Sequence, residues 1–342
     1  MAPKFFSAIA LGALLLACPV LAAEKVAVGI GGSASDAPFY IAQDKGYFAG
    51  EGLDVNLLVL ETGAKIIAPL ATGELDAGSG ALSVGFYNAL GRNVKLRIVA
   101  DRGHTEKGYF YQSVFIRKDL IDSGAFKSLA DLKGKRIGFA APGVTVLSVL
   151  NETMKKAGLA FDDVTPVYLS FPQQAAALQN KGIDGSFLIE PQATMLVRQG
   201  VGVRFMNTEE YYPNDQISVV FYSDKFATER PQAALKLMKA WIRGARLYND
   251  ALLDGKIAGP GSDEIVAIMA KTFKLDPAVI RDMYSQAVNP SGRVFEASIQ
   301  KDLDFFLSKG WVTAPIKLAD VIDMSFADKA NAELGPYKPP SR

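Results

Sequence analysis

Few side chains in this sequence have the chemistry of a catalytic or metal centre. His104 is the only histidine and Cys18 the only cysteine of the 342 residues. One histidine cannot build a histidine-rich metal site, one cysteine cannot form a disulfide within the chain, and no Gly-x-Ser-x-Gly nucleophile elbow accompanies them. We therefore expect no catalytic group, no metal and no cofactor, and look for residues that bind a ligand without changing it.

A Gly/Ser-rich loop after the first predicted strand is the first candidate. Its residues Ser33 and Ser35 offer hydroxyl groups beside backbone amides. Residues 29–34 also match the dinucleotide fingerprint with alanine at its third position. The helix that follows begins late, at Pro38, and no acidic residue closes the second strand at the expected distance, so a loop that contacts a ligand is the better interpretation.

Two further loops place small residues before predicted helices. They are Ser79-Gly80-Ala81 and Gly143-Val144-Thr145. Small residues let a ligand approach the N–H groups of a helix N-terminus, where the helix dipole favours negative charge. Two such loops facing one cleft would hold a carboxylate or sulfonate; alternatively, their glycines only make turns.

Charged and polar residues near predicted strand ends are candidates with an alternative structural role. Arg102 could pair with an anionic ligand or neutralise Asp101, and His104 could contact the ligand or lie at the surface or hinge. Glu190 could accept hydrogen bonds from a ligand, or act as a helix N-terminal acid beside Pro191.

Aromatic residues and one glutamine complete the candidate set. Phe39 and Phe171 could stack on a planar ligand, although aromatic residues at element ends are more often part of the core. Gln216 lies on a strand predicted to return between two domains, and is a weaker candidate for ligand contact.

Short apolar runs alternate with amphipathic segments, a pattern typical of α/β proteins. In the first part the predicted strands are 25–30, 54–60, 75–79 and 95–100, and in the second part 135–140, 164–170 and 183–189. Strands 112–117 and 216–222 are predicted to cross between the parts. The last third is predicted to be helical over 230–252, 262–273, 276–287 and 296–309.

This order predicts a two-lobed α/β fold, with helices flanking a central sheet in each lobe and two crossover strands. The predicted first lobe is 24–111 plus 217–342, and the second is 112–216. Ligands of α/β sheets bind beyond the carboxyl ends of strands, so the cleft between the lobes is the expected site. The crossovers would serve as a hinge for closure.

The N-terminal segment has the pattern of a secretory signal peptide. Lys4 precedes a short apolar stretch that ends near Ala22, where small residues suit a signal peptidase, so residues 1–23 are predicted to be removed on export to the periplasm. A lipid anchor on Cys18 is the alternative, because 15–18 loosely resemble a lipobox. The near balance of 37 basic and 36 acidic residues argues against nucleic-acid binding. A monomer is expected.

Several segments resemble one family of transport proteins. Residues 37–55, beginning Ala-Pro-Phe-Tyr-Ile-Ala-Gln-Asp-Lys-Gly, look like the opening motif of the nitrate/sulfonate/taurine group of ABC-importer binding proteins, which includes thiamine-precursor binders. Similar family signatures follow in order at 71–79, 129–138, Glu190-Pro191 and 323–327. The resemblance implies a two-lobed fold of the periplasmic-binding-protein type (type II-like), a small-molecule solute such as a sulfonate, an aromatic carboxylate or a pyrimidine, and a membrane permease as partner.

Two other functions remain open at this point. Eukaryotic relatives of the thiamine-precursor binders are enzymes that use a histidine, pyridoxal phosphate and a cysteine-rich iron motif. A chain with one cysteine and an export signal is a poor match to that chemistry. An exported receptor that signals to a membrane kinase is the third possibility.

Overall fold

A computed structural model describes residues 22–109 and 111–340. Cys18 and all but the last two residues of the predicted signal peptide lie outside this range. The first part of the chain contains β1 (Glu24–Ile30), α1 (Ala37–Asp44), α2 (Tyr47–Gly50), β2 (Leu53–Val59), α3 (Gly63–Thr72), β3 (Ala77–Gly80), α4 (Val84–Gly91) and β4 (Leu96–Gly103).

The middle of the chain repeats this alternation. It contains β5 (Ser113–Arg117), α5 (Lys118–Asp122), β6 (Arg136–Phe139), α6 (Val146–Lys156), β7 (Thr165–Tyr168), α7 (Phe171–Gln179), β8 (Gly185–Leu188), α8 (Gln192–Arg198), β9 (Gly202–Asn207) and β10 (Ser218–Ser223).

The last third is mainly helical. It contains α9 (Asp224–Glu229), α10 (Pro231–Asp250), β11 (Leu252–Leu253), β12 (Lys256–Ile257), α11 (Ser262–Phe273), α12 (Pro277–Asp282), α13 (Glu296–Ser308) and α14 (Ser325–Leu334).

Two five-stranded sheets organise these elements into two lobes. The first sheet has the order β2-β1-β3-β10-β4 and the second the order β7-β6-β8-β5-β9. The strand that enters each sheet from the other lobe runs antiparallel: β10 between β3 and β4, and β5 between β8 and β9. The predicted α/β architecture with two crossovers is therefore confirmed, while the exact lobe boundaries stay predictions.

Local sequence explains where the helices around the cleft begin. Ser83 caps α4 by accepting a hydrogen bond from the Phe86 N–H at 3.2 Å. Thr62 caps α3 by accepting from the Lys65 N–H at 3.4 Å. Both helices therefore start beside the carboxyl ends of first-sheet strands, and their preceding loops face the second lobe.

Apolar faces of helices cover each sheet. In the first lobe, α10 buries Trp241 against Phe39 of α1, with ring centroids 6.1 Å apart. A second buried cluster contains residues of both lobes, including Phe86 of α4, Leu150 of α6 and Phe306 of α13. Helix α13 therefore packs at the junction of the two lobes.

Part of the prediction for the last third of the chain is wrong, and some elements were not predicted. The helix predicted over 276–287 is wrong beyond Asp282, because the backbone of Met283 turns extended. The following residues instead bond distant backbone, with the His104 N–H donating to the Ala287 carbonyl at 3.0 Å. Strand β9 and helix α14 were not predicted.

Candidate functional site

A cavity of about 90 Å³ lies between the two sheets. The first lobe contributes Gly31, Ser33, Ser35, Glu61, Thr62, Gly63, Gly80, Ala81 and Arg102 to its lining. The second lobe contributes Ala140, Val144, Thr145, Val146, Val149, Phe171, Phe187 and Ile189. The segments that connect the sheets contribute Tyr111, Gln112, Asp215, Ile217 and Ser218.

On the first-lobe side of the cavity, polar side chains form hydrogen bonds and an ion pair with one another. The Ser33 and Ser35 hydroxyls are 2.7 Å apart, and Arg102 Nη2 donates to Ser33 Oγ at 3.1 Å. Arg102 also forms a buried ion pair with Asp36, with Nη2 and Oδ1 2.7 Å apart. The Ser79 hydroxyl donates to the same carboxylate at 2.8 Å. Arg102 thus balances Asp36, rather than Asp101 as one sequence interpretation had it.

Two glycines let the first-lobe loops meet at the floor of the cavity. A Cβ atom on Gly80 would lie 2.5 Å from the Cα atom of Gly63, and a Cβ on Gly63 would lie 2.2 Å from the Ala81 carbonyl oxygen. Real side chains do not tolerate such contacts, so both positions require glycine for the close approach of α3 to β3.

The second-lobe wall is largely apolar. Phe171 begins α7 and Phe187 lies on β8, and both line the cavity together with Val149 of α6. Phe187 stacks on Phe139, with centroids 5.6 Å apart. A flat apolar group would therefore find its contacts on this side of the cleft.

The connecting segments supply the polar groups without partners. Among the described residues, Gln112 Oε1, Asp215 Oδ2 and Ser218 Oγ are buried and have no hydrogen-bond partner. All three side chains line the cavity. Burial raises the pKa of the Asp215 carboxyl to about 7, against the lowering effects of Ser298, Lys301 and His104.

The loops before α4 and α6 contact each other across the cleft. The Val84 N–H donates to the Gly143 carbonyl at 2.7 Å, and the Thr145 N–H donates to the Leu82 carbonyl at 3.2 Å. We expected these helix N-termini to hold an anionic ligand. In this structure two of their amides instead join one lobe to the other.

The structure divides the predicted site residues into two sets. Those that line the cavity are Ser33, Ser35, Gly80, Ala81, Arg102, Val144, Thr145 and Phe171. Those that lie outside its lining are Phe39, Ser79, His104, Gly143, Glu190 and Gln216.

Glu190 has a full set of partners inside the protein. Its carboxylate accepts from the backbone N–H and the hydroxyl of Thr194, both at 3.0 Å, from the Tyr284 N–H at 3.3 Å and from Arg204. The Thr194 amide belongs to the first turn of α8, so the helix N-terminal role holds here. Glu190 therefore stabilises the protein through these bonds and does not line the cavity.

Two of the other predicted residues, Gln216 and His104, form hydrogen bonds with Asp101. Gln216 Nε2 donates to its Oδ1 at 2.6 Å, and His104 Nδ1 lies 2.8 Å from its Oδ2. Burial lowers the pKa of His104, but the charge and hydrogen bond of Asp101 raise it more, to about 9. His104 lines a separate groove with Phe295, on another face of the molecule.

Phe39, Ser79 and Gly143 lie close to the site and stabilise the structure around it. Phe39 is fully buried in the first-lobe core, and the Ser79 hydroxyl donates a hydrogen bond to the Asp36 carboxylate. Gly143 supplies the carbonyl that accepts from Val84. The loop that matched a dinucleotide fingerprint continues into a short 3-10 helix at Ala34–Asp36 before α1 begins.

Sequence reasoning missed the polar residues of the connecting segments. Gln112 immediately precedes β5, and Asp215 and Ser218 flank the start of β10. Their position could have identified them. Gln112 and Ser218 lie in the two predicted crossover strands and Asp215 directly precedes one, and these strands must run through the cleft. The turn residues Pro213 and Asn214 mark the same place.

The described residues form neither a metal-binding cluster nor a membrane-spanning helix. No cluster of three or more His, Cys, Asp or Glu side chains within residues 22–109 and 111–340 could hold a metal ion. In the same ranges, no helix has the length and apolar character needed to span a bilayer.

Solved structures of similar fold include binding proteins and a desulfurization enzyme, DSZB. The nitrate-binding protein NrtA of Synechocystis superposes with a TM-score of 0.74 at 16% identity, over 91% of this chain and 89% of that one. The alkanesulfonate-binding protein SsuA of Xanthomonas axonopodis gives a TM-score of 0.69 at 18% identity, over 87% and 98%. These likenesses confirm the two-lobed α/β fold.

Sequence relatives include binding proteins and an enzyme. A putative binding protein of Brucella abortus is 28% identical over 278 residues, 80% of this chain and 77% of the relative. A 4-amino-5-hydroxymethyl-2-methylpyrimidine phosphate synthase of Aspergillus parasiticus is 31% identical over 131 residues, 38% and 35% of the two chains. The family model described as NMT1/THI5 like matches residues 33–250, more than half of the sequence. The chain therefore belongs to the NMT1/THI5-like family.

Proposed function

We propose that this protein is the extracytoplasmic solute-binding component of an ABC importer. It captures a small organic solute by closure of the two lobes and delivers it to a membrane permease. The observation that carries the proposal is the cavity between the lobes, whose lining comes from both sheets and both connecting segments. A ligand in that position bridges the lobes and so favours the closed arrangement.

The names of similar proteins support the transport role. NrtA and SsuA are named for binding nitrate and alkanesulfonate, and the Brucella relative is named a binding protein. Export follows from the predicted signal peptide at residues 1–23. Sulfonates, aromatic carboxylates and pyrimidine-like compounds are the solute classes suggested by the resemblance.

An enzyme of the pyrimidine-synthase kind is the alternative, supported by the Aspergillus relative. A reaction that depends on histidine needs that residue beside the substrate. His104 is the only histidine of the sequence, and it lies outside the cavity lining with its imidazole bound to Asp101. This placement favours binding without turnover.

A thermal-shift screen tests the binding function. Purified protein is heated with sulfonates, aromatic carboxylates, pyrimidines, nitrate and amines, and a ligand of the folded state raises the melting temperature as its concentration increases. At about 100 times Kd the stabilisation is about 2.7 kcal/mol. Small-angle scattering on a hit should show a smaller radius of gyration.

Two results would contradict the proposal. One is the absence of any stabilising solute across the screen, together with unchanged scattering. The other is consumption of a stabilising compound during incubation, because turnover would indicate the enzyme. Recovery of the unprocessed chain from the cytosol would also oppose a role in import.

A further inference from the structure

Among the described charged residues of the cavity lining, one carboxylate forms no ion pair. The charged residues of the lining are Glu61, Arg102 and Asp215. Arg102 is paired with the buried Asp36, and Glu61 with Lys65 at the exposed rim, at 2.7 Å and 2.6 Å. Once these pairs are counted, Asp215 is the remaining charged group of the lining. Lys301 and His104 lie close enough to lower its pKa, but neither forms an ion pair with it among the described residues, so a ligand cation can be its direct partner.

Two further buried acceptors line the same cavity as this carboxylate. Asp215, Gln112 and Ser218 are only 1%, 5% and 1% exposed, and each has an oxygen without a hydrogen-bond partner among the described residues. Leaving such a group unsatisfied costs about 1–3 kcal/mol. Carboxylate and amide oxygens accept hydrogen bonds, and a hydroxyl can accept as well. The complementary ligand group is therefore one that donates several N–H bonds.

The opposite wall indicates what the rest of the ligand is like. Phe171, Phe187 and Val149 present apolar surface to the same cavity. The amides that could otherwise receive an anion, at Val84 and Thr145, are bonded to carbonyls of the opposite lobe. A donor head with an apolar body fits both walls.

We propose that the cleft binds an organic cation, an ammonium or amidinium group that Asp215, Gln112 and Ser218 hold while its apolar body packs against Phe171 and Phe187. This inference rests on the proposed solute-binding function and names the substrate class. It differs from the nitrate and alkanesulfonate in the names of the structural neighbours.

The test uses matched probes that differ only in the head group. Ethyl, butyl and benzyl compounds are each titrated as the ammonium, the alcohol and the sulfonate by calorimetry above pH 7. We expect at least one ammonium to bind at least tenfold more tightly than its alcohol and sulfonate counterparts. Failure of every ammonium to bind at about 10 mM would overturn the inference.

Asp215→Asn separates charge recognition from folding. The variant keeps the shape but not the charge, and should weaken ammonium binding by about 10- to 100-fold. Its melting temperature should not fall, because the removed charge is one that burial penalises. Gln112→Met, which replaces the amide group by an apolar thioether of similar length, should weaken binding less. Unchanged ammonium affinity in Asp215→Asn contradicts the proposal.

Asp302→Asn is the matched control. Asp302 is a buried carboxyl near Asp215 but is not part of the cavity lining. Burial first, and Asp215 second, raise the pKa of its carboxyl well above the usual range, so the substitution is expected to remove less charge than Asp215→Asn does. Ammonium binding should be retained. Equal losses in Asp302→Asn and Asp215→Asn would assign the effect to packing and overturn the inference.

The pH dependence gives an independent readout. The titratable groups that face Asp215 are Lys301 and Asp302 on α13, His104 after β4, and Tyr211 and Tyr212. With a pKa of about 7, Asp215 is ionised above neutral pH, where it binds cations best. Ammonium affinity should fall by about 30-fold near pH 5.5. A rise at low pH would indicate that the protonated acid receives an anion instead.

The outcomes distinguish the inference from the function on which it rests. Tight binding of sulfonates that Asp215→Asn leaves unchanged or improves would remove the cation site but keep the solute-binding function. The absence of binding by every solute class would count against the function itself.

Discussion

Asp101 and Asp215 are both buried acids near the ends of β4 and β10, yet their neighbours give them different roles. Asp101 receives hydrogen bonds from Gln216, His104 and the Asn289 N–H, at 2.6, 2.8 and 2.7 Å. Within the described part of the chain, the Asp215 carboxylate has only a weak hydrogen bond, from Ser298 at 3.4 Å. A satisfied carboxylate stabilises the fold, whereas an unsatisfied one at a cavity is available to a ligand.

The His104–Asp101 pair predicts a pH-dependent contribution to stability. The pKa of His104 is raised to about 9 in the folded protein, above the usual 6.5, so its stabilisation is complete below 6.5 and lost as the pH rises through 9. Between about pH 7 and pH 9.5 the loss amounts to about 2 kcal/mol. His104→Gln should remove this part of the pH dependence.

Urea unfolding of the two proteins at both pH values checks this. The wild type should lose its advantage over His104→Gln toward the higher pH, and other titrating groups cancel in the comparison. Parallel pH profiles for the two proteins would show that the imidazolium makes no such contribution.

At the scale of elements, the loop before α6 controls how closely the lobes meet. Gly143 has a φ of +69°, and a Cβ atom there would lie 2.9 Å from the Cβ atom of Val84 in the other lobe. The same loop accepts the Val84 N–H hydrogen bond. Closure therefore depends on the absence of a side chain at position 143.

Gly143→Ala should impair closure as well as local stability. The left-handed backbone costs alanine about 1–2 kcal/mol. Gly158→Ala at the far end of α6 is the control, since its φ is +70° but nothing lies within 4 Å of the added carbon. We expect both variants to lose stability, but only Gly143→Ala to show a smaller ligand-induced decrease in radius of gyration. Equal closure in the two variants would show that this contact does not limit it.

At the scale of the whole molecule, α13 connects the two lobes through apolar contacts. Phe306 lies 6.0 Å from Tyr87 of the first lobe, and Phe305 lies 5.5 Å from Phe161 of the second, between ring centroids. All four side chains belong to or pack against one buried cluster. The lobes can therefore not expose their cores independently on this side.

Calorimetry should accordingly record one unfolding transition. Equal calorimetric and van't Hoff enthalpies are expected, with a single melting temperature that rises as a whole with ligand. Two resolved transitions, of which ligand shifts only one, would show that the cluster around α13 does not couple the lobes.

Local patterns predicted elements whose burial is regular. The continuously buried run of β10 and the amphipathic face of α10 are clear patterns, so both were found. Strand β9 is half-buried at four of its six positions and was missed. The helix predicted over 276–287 was too long because residues after Asp282 bond Gly255 and His104, which are distant in sequence.

The sequence by itself determined the alternation of strands and helices, the two crossovers and the loops that form the cleft, since these depend on neighbours a few residues apart. Only the tertiary structure decided which polar groups have partners. Glu190 is satisfied by Arg204 and by Tyr284, 94 residues away, while the Asp215 carboxylate accepts only from Ser298 among the residues that the structure describes. Such pairing depends on how distant segments pack. The tertiary structure could therefore identify the candidate ligand group, which residue type alone could not.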